Sequence, residues 1–218
     1  MARRPSLPPP QLRALDRLKS VRGIDRFYLA GRAAIAVHLR HRISNDLDVF
    51  GPKRASFAPF QALATPRSGD VKVVTVGEAT LQMEIGGVPV DVVRYPYPLL
   101  EEPQSGPAGF PVAGLLDLAT NKLAAIAKRG LLRDFWDLYE IGKSGVTLAE
   151  ACAAYVKRFH VAESDLYHVT LGLTWFEDAD AETVRPKGMT DMLWKTIRRY
   201  FEKEAPPLVL SLERHGRK

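Results

Sequence analysis

The sequence predicts an α+β protein, a mixed sheet with helices in the N-terminal half followed by a helical C-terminal half. Three observations predict it. Phe27-Tyr28-Leu29-Ala30-Gly31 is a short apolar run that turns at a glycine into the Ala-rich stretch Arg32 to Leu39, which reads as strand, tight turn and helix. Thr80 to Ile85 and Val88 to Val93 are two strand-like runs joined by Gly86-Gly87, a two-residue hairpin signal. Beyond the prolines at 96, 98, 103, 107 and 111 the apolar period changes from two to that of helices.

The first element is a helix over Gln11 to Val21, with Leu12, Leu15 and Leu18 as its apolar stripe after a proline start. After the strand, turn and helix of 27–39, Asp46-Leu47-Asp48-Val49-Phe50 alternates polar and apolar and is expected to stop at Gly51-Pro52. A helix is expected over Ala55 to Leu63 and a strand over Val71 to Val76. The hairpin arms follow, with Asp91 inside the second. Proline and glycine then mark an irregular connection, in which Tyr95-Pro96-Tyr97-Pro98 reads as a rigid extended connector, with stacking on a base as the alternative. Helices are expected over Val112 to Arg129, Leu132 to Lys143, Leu148 to Phe159 and Glu163 to Leu173. A last helix covers Met189 to Glu204 and is broken by Pro206-Pro207. There is no internal repeat.

With 218 residues and 46% hydrophobic side chains, the chain can bury a substantial core. It has no apolar run long enough for a membrane-spanning helix, and its basic, Pro-rich start is not a signal core. The expectation is a soluble cytoplasmic protein with no membrane partner. Cys152 is the single cysteine, which excludes a disulfide framework and a thiolate zinc site, and it reads as a core residue. The net charge of +6 and pI near 9.5 favour polyanionic partners without selecting one. Basic clusters lie at Arg3-Arg4, Arg40-His41-Arg42 and the tail from Arg214 to Lys218.

Asp46 and Asp48, two apart on a strand, share a face. Two adjacent carboxylates repel unless a cation lies between them. Magnesium is held by one or two carboxylates, with water and substrate phosphates completing its shell. Asp91 lies among β-branched residues in Pro89-Val90-Asp91-Val92-Val93, where a charge is costly without a partner. Gly31, just upstream of the pair, can bring backbone N–H groups and a helix N-terminus to a phosphate.

From Phe27 to Phe50 the chain resembles the first motif of the AbiEii/AbiGii toxin family, nucleotidyltransferases of type IV abortive-infection toxin–antitoxin systems in the DNA polymerase β-like superfamily. His41-Arg42-Ile43-Ser44 and Asp46-Leu47-Asp48 carry the likeness. A second match runs from Asn121-Lys122-Leu123 to Arg133-Asp134-Phe135-Trp136-Asp137-Leu138-Tyr139. The resemblance implies a polymerase β-like core over residues 1–110 carrying the carboxylates, and a helical region over 111–218 completing the active-site cleft. It implies Asp46 and Asp48 as metal ligands and Asp91 as metal ligand or base. Lys122 would contact the triphosphate, with Asp134 and Asp137 completing the pocket. Gly31, Arg32, Arg42, Ser44 and Arg133 are the further expected substrate-binding residues. For Arg133 and Asp137, four apart on one helix face, an ion pair fixing the helix is the alternative; for Lys122 it is a solvated lysine.

The family turn offers a second glycine and then a hydroxyl; here it reads Ala30-Gly31-Arg32. Arg32 can hold a phosphate bidentately, or fill the nucleotide pocket. The expected activity is magnesium- or manganese-dependent transfer of a nucleoside monophosphate from a triphosphate. The acceptor is expected to be RNA, at the 3′ end of a transfer RNA, and the protein to act as a toxin neutralised by an antitoxin. The rivals are a catalytically degenerate binding protein and transfer to a protein hydroxyl. His38 and His41, three apart, read as structural or RNA-contacting rather than zinc-binding. Trp136, Trp175 and Trp194 read as core or interface residues.

Overall fold

The computed structural model describes residues 7–65 and 69–215, with side chains through residue 209. Arg3-Arg4 and Gly216-Arg217-Lys218, the end of the basic tail, lie outside the described residues, as do the side chains of Arg214 and His215. The chain divides into two compact units, Met1–Gly114 and Leu115–Lys218.

The first unit holds strands β1 (Tyr28–Ala30), β2 (Leu47–Pro52), β3 (Val71–Val76), β4 (Thr80–Ile85), β5 (Val88–Tyr95), β6 (Gln104–Ser105) and β7 (Pro111–Val112). Among the described residues they form one mixed sheet in the order β3-β4-β5-β2-β1-β7-β6. The pairs β3/β4, β4/β5, β1/β2 and β6/β7 are antiparallel; β2/β5 and β1/β7 are parallel. Helices α1 (Pro9–Leu18), α2 (Gly31–Leu39) and α3 (Ala58–Gln61) accompany the sheet. Leu29, Leu47, Val49, Leu81, Val90 and Val92 are fully buried, so the central strands present one closed apolar face. The Gly86-Gly87 turn has φ of 57° and 79°, the left-handed pair that a two-residue hairpin requires.

The second unit holds α4 (Leu115–Arg129), α5 (Leu132–Lys143), α6 (Leu148–Phe159), α7 (Leu166–Gly172), α8 (Glu177–Asp180) and α9 (Asp191–His215). Helix α6 starts on a capping box: the Thr147 hydroxyl accepts from the Glu150 N–H while the Glu150 carboxylate accepts from the Thr147 N–H. The core is aromatic, with Phe135 packed on Phe176, Trp194 and Phe201 at centroid distances of 5.2, 5.8 and 5.3 Å.

Several elements depart from the sequence expectation, each for a physical reason. In α1 the buried stripe is Gln11, Ala14, Leu15 and Leu18, with Leu12 only half-buried. Gln11 is tolerated inside because its amide donates to the Ser44 carbonyl at 2.6 Å. Strand β2 runs through Gly51-Pro52, which pair with Arg94 and Tyr95. Gly51 is not a stop signal; the Phe27 ring occupies the space a side chain would need there. The 55–63 helix shrinks to the four residues of α3. Val112 belongs to β7, whose pairing beside β1 overrides the helical start, and β5 extends to Tyr95. The 163–173 helix is a 3-10 turn at Glu163–Asp165 followed by α7. Helix α9 continues through Pro206 and Pro207, both exposed; proline's φ is itself helical, and the cost is the missing backbone donors.

Gly51→Ala is expected to destabilise the protein by about 1–3 kcal/mol through overpacking against Phe27. The midpoint of urea unfolding followed by circular dichroism checks this, and an unchanged midpoint would refute the close approach.

Candidate active site

The site is assembled on the open face of β1, β2 and β5. Parallel pairing of β2 with β5 sets Asp48 directly opposite Asp91. Antiparallel pairing of β1 with β2 sets Ala30 opposite Asp48 on the other side. Ala30 ends β1, and Gly31 (φ 57°) opens α2 in a left-handed conformation. A Cβ on Gly31 would collide with the Asp48 carboxylate, so the turn and the carboxylate fit only because the residue is glycine.

Asp46 lies just before β2, on the same face. The Ser44 hydroxyl donates to its Oδ1 at 2.8 Å, and the buried Ser44 is itself anchored through its carbonyl to Gln11. Arg32, in the first turn of α2, forms an ion pair with Asp46 Oδ2. Burial pushes the Asp91 carboxyl above its ordinary range. A hydrogen bond from Gln82 opposes that shift; the nearby Asp46 charge adds to it, and Arg32 reduces it. Arg42 is buried, and His38 Nε2 lies 2.8 Å from the Ala113 carbonyl, a structural contact.

Among the described residues no three His, Cys, Asp or Glu side chains stand as a ready metal cage. Asp46 already carries a counter-ion, Arg32. The donor set nevertheless fits magnesium or manganese. Asp46, Asp48 and Asp91 offer hard carboxylate oxygens on one face of the sheet, and such ions complete their shell with water and substrate phosphates.

In the second unit, Lys122 on α4 is not the solvated lysine that was the alternative; its side chain is only 7% exposed. Its ammonium donates to Asp134 Oδ1 at 2.9 Å and pairs with Asp137 Oδ2 at 2.8 Å, both fully buried on α5. Arg129 Nε reaches Asp134 Oδ2 at 3.1 Å. Asp137 therefore pairs with Lys122 across two helices rather than with Arg133 along one, and Arg133 Nε is buried without a hydrogen-bond partner among the described residues. Burial pushes the Asp134 carboxyl up, but the charge and hydrogen bond of Lys122, with those of Arg129, outweigh it and hold it below its ordinary value.

Sequence reasoning missed Arg158 on α6, which is completely buried. Its guanidinium donates to the Asp117 carbonyl at 2.6 Å, the Thr120 hydroxyl at 2.8 Å and Asn121 Oδ1 at 3.1 Å, and pairs with the Asp117 carboxylate at 3.3 Å. It ties down the α4 segment just before Lys122. The signal available was an arginine among the apolar positions of an amphipathic helix. Trp136 and Trp194 are buried, whereas Trp175 is 55% exposed and not a core residue. Cys152 is a buried free thiol whose pKa burial pushes up to about 11.

The mixed sheet, its register-matched aspartates and the glycine-led helix agree with the family match that makes the protein a nucleotidyltransferase. The chain belongs to the AbiEii family: the sequence model described as "Nucleotidyl transferase AbiEii toxin, Type IV TA system" matches residues 13–213. An uncharacterized protein from Aquifex aeolicus (strain VF5) is 30% identical over 201 residues, 89% of this chain and 93% of that one. The nucleotidyltransferase toxin MenT4 from Mycobacterium tuberculosis H37Rv shares the fold with a TM-score of 0.63 at 17% identity, covering 93% of this chain and 85% of its own. The antibiotic-resistance factor ANT(2'')-Ia superposes with a TM-score of 0.50 at 16% identity, covering 72% of this chain and 95% of its own. The AbiEii resemblance read from the two motifs is what the family model shows, and the α+β fold class agrees with the MenT4 superposition. No helix among the described residues is long and apolar enough to cross a membrane.

Lys122→Met would remove the cation that Asp134 and Asp137 share, leaving Asp134 with Arg129, and is expected to lower stability by about 3–5 kcal/mol at pH 7. Because the folded-state value of Asp134 is depressed, its contribution is present at neutral pH and is lost as pH falls through its folded value, below the ordinary value of 3.8. The deficit of the variant should therefore shrink below about pH 4, as read from denaturant unfolding at a series of pH values. A deficit independent of pH would refute the ion-pair account.

Proposed function

We propose that this toxin-family nucleotidyltransferase transfers a nucleoside monophosphate from a nucleoside triphosphate to an RNA acceptor, with a divalent cation. Its reading as a toxin includes neutralisation by an antitoxin. The observation that carries the site assignment is the register pairing of Asp48 with Asp91 beside the Gly31 turn. The acceptor hydroxyl oxygen bonds to the α-phosphorus as the bond to pyrophosphate breaks, and the hydroxyl proton passes to Asp91. Burial, which raises the proton affinity of Asp91, suits that carboxylate to the base role. Asp46 and Asp48 are assigned to the cation, with Ser44 fixing the orientation of Asp46. A divalent ion there would supply positive charge against the developing phosphoryl charge. Backbone N–H groups at the start of α2 face the same side and favour phosphate.

Arg32 has two tasks in this reading. Without a cation it neutralises Asp46; with the triphosphate present it is a bidentate phosphate donor in the position where the family places a hydroxyl. Lys122, Asp134 and Asp137 form a closed ionic cluster in the second unit, and their substrate roles rest on the resemblance alone. RNA as acceptor is supported by the resemblance and by the excess of basic residues.

Purified protein incubated with each labelled triphosphate, divalent cation and total RNA should transfer label to a defined RNA band, and Asp48→Asn should reduce this by at least about a hundredfold. Label arriving on protein instead would reassign the acceptor to a protein hydroxyl. Calorimetry on Arg32→Thr should show Mn2+ binding more tightly and a non-hydrolysable triphosphate binding about tenfold more weakly, the worth of a charged hydrogen bond. Tighter triphosphate binding would make Arg32 an obstruction.

A further inference from the structure

The open sheet face does not end at the carboxylates. Along β2, Asp48 is followed on the same side by Phe50; along β5, Asp91 is followed by Val93 and Tyr95; Tyr28 of β1 pairs with Phe50. The rings form a ladder, Tyr28 to Phe50 at 6.1 Å, Phe50 to Tyr95 at 4.6 Å and Tyr95 to Tyr97 at 5.3 Å between centroids. Exposure grows along it: Tyr28 is buried, Phe50 and Tyr95 are half-buried, and Tyr97 is 38% exposed. The outer end opens into a cleft of about 250 Å³. Asp25 and Arg26 stand at its lip, so its charge is balanced. With a rise of about 3.3 Å per residue, Phe50 lies about 7 Å from Asp48 and Tyr95 about 13 Å from Asp91.

We infer that this aromatic ladder is the platform on which the unpaired end of a single-stranded RNA acceptor stacks its bases, directing the terminal hydroxyl toward Asp91. The inference rests on the transferase reading above. Three features favour bases over other occupants. The rings are continuous with the carboxylate face, so a chain lying on them leads to the reacting group. Each ring is a planar surface suited to stacking, which is sequence-tolerant and contributes substantially per base. The balanced charge at the lip means that grip comes from ring faces, with phosphate contacts made elsewhere. The proline spacing in Tyr95-Pro96-Tyr97-Pro98 restricts the backbone and presets the two outer rings, lowering the entropy lost on binding.

The test is fluorescence anisotropy of a labelled short single-stranded RNA against the full chain, Tyr97→Ala and Tyr97→Phe at several salt concentrations, with binding of a fluorescent triphosphate in parallel. Tyr97→Ala gives up the edge contact with Tyr95 and is expected to melt about 2–4 °C lower, whereas Tyr97→Phe keeps the contact, so binding is measured well below both transitions. Tyr97→Ala should weaken RNA binding on the order of tenfold with the salt slope unchanged. Tyr97→Phe should bind as the wild type does, and triphosphate binding should not move. Equal RNA affinity in Tyr97→Ala, or a changed salt slope, would overturn the platform while leaving the transferase reading intact. Weakened triphosphate binding would assign the rings to the nucleotide donor and overturn it as well. A wild-type protein that binds no single-stranded RNA yet labels a protein would refute both platform and RNA acceptor, and absence of any transfer would refute the reading beneath them.

Discussion

The site depends on one pairing, the parallel register that sets Asp48 against Asp91. Two carboxylates on neighbouring strands repel, and nothing about the pair favours its own formation. The opposite face of the same strands forces it. Leu47, Val49, Val90 and Val92 are fully buried there, and a slip of one residue would turn that row out to water and the aspartates inward. Hydrophobic burial on one side thus holds like charges together on the other. The close fit of Gly31 over Asp48 and the Gln11–Ser44–Asp46 chain then fix the details.

The helical unit handles charge in the opposite way. Its ionised groups are interior and matched within the fold: Lys122 with Asp134 and Asp137, and Arg158 with Asp117. A buried pair adds little net stability compared with an apolar substitute, but losing one member is expensive. Such pairs therefore specify which helix faces meet. Arg158 of α6 binds α4, and Lys122 of α4 binds α5, so the position of α4 is set by hydrogen-bond geometry as well as by packing.

Much of this was legible in the sequence. The hairpin with its glycine turn, the strand–glycine–helix unit and the helices α5 and α6 follow from period and punctuation, and the α+β class with them. The aspartates stood out because charges were embedded in apolar strand patterns. What was not legible depends on partners distant in sequence. Gln11 looks like a surface residue until the Ser44 carbonyl is beside it, and Leu12 looked like core. Gly51-Pro52 resembled a stop signal because the Phe27 ring that needs the missing side chain is not local. The ion pair offered as the alternative for Asp137 lay along its own helix, since an intrahelical spacing can be read from sequence and a contact between helices cannot. The continuation of α9 through two prolines ran against a strong local rule.

The chain between Asp48 and Asp91 is more than forty residues long, whereas β3, β4 and β5 follow one another through short turns. Local hairpins close at small entropic cost, and the β2/β5 ladder must wait for a long loop to close. Bringing the two carboxylates together therefore costs more chain entropy than closing the neighbouring hairpins. A chain that has formed only its local hairpins carries every residue of the site without the juxtaposition of its two carboxylates.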